Sequence, residues 1–292
     1  MASQNQDMLN ACMSGDVATL QRLFEARGIR KGSKAVSVFS PNNPPPINHL
    51  LEAAITNGNP SIVCLLLETY EWISFGGNVI TALLNHPDLA NLEALYNHDN
   101  RIVNYEWDSQ GVTTFVTEAC KQPPEKIVPL LHFLVEHDAS LDVGGFRFQF
   151  AVHAALCGNQ PLDVIEAMIK KSGPVYPQAA EMAILRERAD VLELFIRFGV
   201  GEDIGDVQHL RTVAKETRNT NVMKLVDTWT SKREGDKNRV VSGRGQSGRD
   251  SFGRALVGRD LFGRALVGRD PAGRALFSRG FKFGSIWRRI LG

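Results

Sequence analysis

Over the first 230 residues, apolar positions gather in short clusters that close on a polar residue. They run Leu20-Gln21-Arg22-Leu23-Phe24-Glu25, Val63-Cys64-Leu65-Leu66-Leu67-Glu68, Leu92-Glu93-Ala94-Leu95-Tyr96-Asn97 and Leu131-His132-Phe133-Leu134-Val135-Glu136. Val164–Ile169, Leu192–Arg197 and Val222–Val226 complete the series. The first six clusters end at residues 25, 68, 97, 136, 169 and 197, so successive copies lie 28 to 43 residues apart. Within each, apolar residues recur at i, i+3 and i+4, the stripe of a helix with one buried face. Seven such helices are predicted, with the copy near residues 79–110 matching most weakly.

Ahead of each cluster lies a shorter segment carrying alanine, anchored at Ala11, Ala54, Ala82, Ala119, Ala154, Ala183 and Ala214. Small side chains there let two helices approach closely. Starts of the second helices are marked by Pro60, Pro87, Pro123 and Pro161, since proline's missing N–H costs nothing in a first turn. Asp16, Asp190 and Asn219 stand at the equivalent place elsewhere, as N-cap residues. A recurrence of this size, though irregular in step, predicts stacked repeats rather than one globular core, because no repeat can bury its own apolar face.

Three segments carry a family resemblance: Ala53-Ala54-Ile55-Thr56-Asn57-Gly58-Asn59, Ala154-Ala155-Leu156-Cys157-Gly158-Asn159 and Ala11-Cys12-Met13-Ser14-Gly15-Asp16. Each resembles the A-A-x-x-G turn of ankyrin repeats, and His137-Asp138-Ala139-Ser140-Leu141-Asp142 is similar to that family's G-A-D-V-N ending, with Asp138 in place of glycine. The resemblance spans roughly residues 8–231. It implies an all-α, ankyrin-type helical-repeat solenoid of about seven helix pairs. A concave surface of inner helices and loops would bind protein partners. The family's T-P-L-H tetrapeptide is nowhere intact, and Thr114-Phe115-Val116-Thr117 is its nearest copy. With Gly158 read as the turn glycine, Val152 and not His153 stands at the position of the family's histidine. That departure puts regular β-finger geometry in doubt. Residues 29–46, ending in Pro41-Asn42-Asn43-Pro44-Pro45-Pro46, read as an insertion that is mobile or partly extended.

Charge divides the chain of 292 residues in two. Residues 1–231 hold 18 Lys+Arg and 27 Asp+Glu, a balance of −9, whereas residues 232–292 hold 15 and 5, a balance of +10. The expected organisation is therefore an acidic array over 1–231 and a basic low-complexity tail over 232–292. From Gly243 the tail runs in pentads, with Gly243, Gly248, Gly253, Gly258, Gly263, Gly268 and Gly273 each followed by arginine. Glycine every fifth residue opposes a helix by about 1 kcal/mol each relative to alanine. A pentapeptide β-helix would have to bury Arg254, Arg259, Arg264 and Arg274 beside its leucines, at prohibitive cost. The tail is thus expected to be disordered. Its Arg254, Arg259, Arg264 and Arg269 would meet an anionic partner, a nucleic acid or a membrane surface. Residues 281–291, with Trp287, Arg288 and Arg289, could form a short basic amphipathic helix suited to a membrane surface or a partner groove.

Catalytic signatures are missing from the sequence. The seven histidines form no H-E-x-x-H, and neither G-x-S-x-G, a Walker A loop nor a Rossmann fingerprint occurs. His98-Asp99 and His137-Asp138 fall at predicted helix ends, where a cation suits the helix dipole. The four cysteines are at least 37 residues apart, without a C-x-x-C pair. Cys12, Cys120 and Cys157 read as small buried residues. No enzyme, cofactor or metal is expected. Reduced thiols, with no signal sequence and no apolar run long enough to span a membrane, place the expectation in the cytoplasm or nucleus. Glu52, Glu118, Glu181 and Glu187 are the candidate inner-surface residues, an acidic groove for a basic ligand.

Overall fold

A computed structural model describes residues 2–36, 43–108, 112–143, 150–171, 173–200 and 206–243. Residues up to 238 form one compact unit, and the second, 239–292, is described only at its start. The proposed tail contacts Arg254, Arg259, Arg264, Arg269, Trp287, Arg288 and Arg289, the 281–291 helix and the middle of the 29–46 insertion lie outside the described residues.

The described chain pairs its helices seven times: α1 (Ala2–Ser14) with α2 (Val17–Ala26), α3 (Ile47–Thr56) with α4 (Pro60–Thr69), and α5 (Gly77–Asn85) with α6 (Leu89–His98). There follow α7 (Phe115–Cys120) with α8 (Pro124–Glu136), and α9 (Ala151–Cys157) with α10 (Leu162–Lys170). Last come α11 (Pro177–Leu185) with α12 (Ala189–Phe198), and α13 (Val207–Glu216) with α14 (Thr220–Gly243). Odd-numbered helices pack on one another in an inner row, and α2 to α12 form an outer row, so each pair leans on its neighbours. This is the expected all-α array of helix pairs, to which the weakly matching third copy contributes α5 and α6. α14 runs past the change of composition at residue 231.

Alanine is what lets the inner row close up. Ala11, Ala54, Ala155, Ala183 and Ala214 are all buried. Each stands four residues before a left-handed turn residue: Gly15, Gly58, Asn159, Glu187 and Arg218, with φ between 53° and 72°. The N–H after that turn bonds back to the alanine carbonyl, Asp16 to Ala11 and Asn59 to Ala54 at 3.0 Å, Gln160 to Ala155 at 2.8 Å, and Arg188 to Ala183 at 2.9 Å. The fifth repeat therefore turns at Asn159, not Gly158, and Ala155 replaces Ala154 in the series. Outer helices end similarly. Gly28, Asp138 and Gly199 are left-handed, and Asp138 takes the glycine role expected of it.

Helix starts follow the sequence signals with four shifts, two of them at Pro123 and Pro161, which stand one residue ahead of α8 and α10 as their N-caps. Asp16 caps α2 by accepting from the Thr19 N–H at 2.9 Å, and the Asn219 carboxamide oxygen accepts from Asn221 N–H at 3.1 Å. Pro60 occupies the first turn of α4, but Pro87 lies ahead of α6, whose cap is Asp88. Asp190 lies inside α12 rather than at its cap, and binds the Arg188 guanidinium at 2.8 Å. Thr114 and Thr117 close a reciprocal capping box on α7, so the degenerate T-P-L-H copy still starts its helix.

Both described ends of the 29–46 insertion are tied down. β1 (Ser33–Lys34) pairs in parallel with β2 (Tyr70–Glu71), while Pro45 and Pro46 are buried. A second insertion separates α6 from α7: a 3-10 turn, Asn100–Asn104, and a hairpin of β3 (Glu106–Asp108) on β4 (Val112–Thr114). Beside it the inner row is thinnest, between α5 and α7.

Candidate functional site

Six residues before each left-handed turn residue stand Leu9, Glu52, His153, Glu181 and Thr212. These are equivalent positions on five inner helices, and each is at least partly open to solvent. The corrected turn at Asn159 is what moves His153, rather than Val152, into this column. Four of its five members are polar, whereas the opposite side of the inner helices is committed to the core, as at Leu50, Leu51 and Ile55.

Its charged members are tethered by the following repeat. The Asn78 amide, in the first turn of α5, donates to Glu52 Oε2 at 2.7 Å. His209, in the first turn of α13, brings Nε2 to 3.4 Å from Glu181 Oε1. His153 lies between repeats four and six. Burial holds its pKa below the usual histidine value, and the negative charge of Glu181 opposes that shift. Cys157, half-buried rather than buried, places its sulfur 3.7 Å from His153 Nε2. Burial also raises the Cys157 pKa, so the pair is a neutral thiol beside a neutral imidazole and not an activated nucleophile.

The four carboxylates expected on this face do not converge. Glu52, on α3, and Glu181, on α11, share the column with α5, α7 and α9 between them. Glu118, on α7, is ion-paired with Lys121. Glu187 is a left-handed turn residue (φ 53°) that accepts from the Asn219 amide at 2.8 Å. The face is thus a row of separate polar contacts rather than one acidic pocket. Among the described residues, no group of three or more His, Cys, Asp or Glu gathers where a metal could bind, and no helix is long and apolar enough to cross a membrane.

What fixes the row is a set of side chains just after the turns, one repeat reaching to the one before. Asn59 donates to the carbonyls of Cys12 (2.9 Å) and Met13 (3.0 Å). Gln160 donates to Cys120 and Gln122, both at 2.8 Å. Arg188 donates to the Gln160 carbonyl at 3.0 Å, and Asn219 to Glu187. At the C-termini of α1 and α7 the leftover inner-helix carbonyls thereby find donors in the next repeat. Sequence reasoning missed this set because its members share only an N–H donor, not a residue type. It also did not single out Trp72, which is 87% exposed and left-handed at φ 59°.

No protein-family model matches the chain, and no curated protein matches it. Among solved structures, it is similar to an ankyrin repeat protein from Leishmania major, at 14% sequence identity and a TM-score of 0.47, with 76% of this chain and 80% of the other covered.

Proposed function

We propose that the chain is a protein-binding scaffold that receives its partner along the inner helices and their turns. The observation that carries this reading is the column Leu9, Glu52, His153, Glu181 and Thr212, which repeats one solvent-facing position across the array. Rigid backing by the post-turn hydrogen bonds lowers the cost of ordering such a face on binding. Separated carboxylates and imidazoles along a row suit a long polypeptide partner with several polar contacts, rather than a small molecule. The proposed organisation is an array over 1–231 that does the binding, with 232–292 as a separate basic address.

Charge reversal tests it. The full chain with Glu52→Lys and Glu181→Lys should lose its co-purifying partners. A control with Glu68→Lys and Glu193→Lys, on exposed positions of the outer helices α4 and α12, should keep them. Retention of the same partners by both variants would overturn the inner-face reading.

A second reading rests on the +10 balance of residues 232–292, which suits an anionic partner such as a nucleic acid. Under it, deletion of 232–292 abolishes a salt-sensitive gel shift. The absence of any shift at low salt for the full chain would dismiss it.

A further inference from the structure

The outer row contains a feature that the inner-face reading does not use. α6 and α8 are neighbours in the outer row, but the insertion of residues 99–114 intervenes in the chain, and they meet over a smaller contact than α4 and α6 do. Between them lies an open groove of about 560 Å³. α6 contributes Glu93 and Tyr96, and α8 contributes Pro129, Phe133, Glu136 and His137.

The floor is aromatic and fixed. The His137 ring stacks on Phe133 with centroids 3.9 Å apart, and its Nδ1 donates to the Phe133 carbonyl at 2.8 Å. Tyr96 stands edge-on to both, 5.4 Å from Phe133 and 4.6 Å from His137. Pro129, inside α8, withholds the N–H that would bond the Glu125 carbonyl and presents its ring to solvent instead.

The rim is acidic and uncompensated. Glu93 and Glu136 are both exposed, and neither carboxylate is ion-paired among the described residues. Of the neighbouring basic groups, Lys171 binds the Asp138 carboxylate at 2.7 Å and donates to the Glu136 carbonyl at 3.4 Å, and His132, which also lines the groove, binds Asp163 at 3.0 Å. Aromatic faces between two carboxylates favour a cation, which gains from the ring quadrupoles and from the charges together. The −9 balance of residues 1–231 attracts the same sign over longer range.

We infer that the α6–α8 groove is a second docking site, which takes a lysine or arginine side chain of a partner polypeptide against Tyr96 and His137, between Glu93 and Glu136. The cationic head lies between the carboxylates, and the aliphatic stem lies along Pro129 and the rings. The site is independent of the inner face, so the failure of either leaves the other standing.

The test uses the full chain and two synthetic nonapeptides, one alternating lysine with alanine and one alternating glutamate with alanine. Side-chain resonances of Tyr96 and His137 are followed by NMR during titration. The lysine peptide should shift both, and the glutamate peptide neither. Glu93→Gln with Glu136→Gln, on exposed positions that leave the core untouched, should weaken lysine-peptide binding about tenfold. Glu68→Gln with Glu193→Gln, on exposed outer positions outside both proposed sites, should leave it unchanged. Three results would overturn the inference. In the first, the lysine peptide shifts resonances across the acidic surface without preference for Tyr96 and His137. In the second, the groove variant binds as tightly as the wild type. In the third, those two resonances move with protein concentration alone, which would assign the groove to a second copy of the chain.

Discussion

A β-carbon on residue 158 would lie 1.8 Å from the Cys120 carbonyl oxygen, so α7 and α9 can close only over a glycine. Gly58 is glycine for a different reason. Its φ is +66°, yet a β-carbon there meets nothing within 4 Å. The two should respond differently to alanine. Gly58→Ala carries only the left-handed penalty, about 1 kcal/mol. Gly158→Ala must move backbone and should cost about 3 kcal/mol. Urea unfolding of the two variants checks this, and equal losses would refute the close-approach account. Trp72 offers the opposite case, a bulky residue held at φ 59° with its side chain in solvent. Trp72→Gly should therefore raise stability by about 1 kcal/mol in the same assay. A loss would show that the indole makes contacts that outweigh its backbone strain.

At the scale of the element, the repeat was legible wherever the sequence used the residue that physics prefers. Gly15 and Gly58 mark their turns because glycine tolerates a left-handed backbone, and Pro60 marks α4 because its lost N–H is free there. Legibility failed where other residues fill the same roles. Asn159, Glu187 and Arg218 adopt the turn conformation without glycine, and Gly158 beside Asn159 pulled the reading one residue off register. Glu52 and Glu181 stand at equivalent positions on the inner helices α3 and α11. The post-turn donors Asn59, Gln160, Arg188 and Asn219 were not legible, since their partners are carbonyls or a carboxylate one repeat away. The groove at Tyr96 and His137 was equally hidden, because it depends on how far two outer helices stand apart. Those donors also predict where the array is most easily weakened. Gln160 is buried, and its amide serves two carbonyls, so Gln160→Ala should cost about 2 to 3 kcal/mol. Asn59 works partly in solvent, where water can substitute, and Asn59→Ala should cost about 1 kcal/mol. Hydrogen exchange should show the Gln160→Ala loss concentrated in α7 and α9.

For the molecule as a whole, pH acts through two sets of groups. Hydrogen bonds from Thr19, from Lys171 and from Arg188 lower the pKa values of Asp16, Asp138 and Asp190 respectively. Groups with depressed folded values stabilise above their unfolded value, and that contribution disappears as pH falls through the folded one, below about 4. His153 also has a depressed folded value, because burial disfavours its charged form. Its unfolded form takes up a proton first, so stability falls as pH drops below about 6.5. Thermal unfolding midpoints should thus decline in two stages on acidification, and His153→Gln should remove the upper one. An upper stage that persists in the variant would exclude His153 as its source.

The scaffold reading joins the corrected register, the post-turn donors and the inner column into one claim, that a partner polypeptide lies along the inner helices. Site-specific photo-crosslinking in full-length protein tests it most directly, with a benzophenone side chain placed in turn at positions 52, 153 and 181 and, for comparison, at the outer positions 68 and 193. The account predicts discrete partner adducts from 52, 153 and 181 and none from 68 or 193. Adducts from the outer positions alone, or from none of the five, would contradict it.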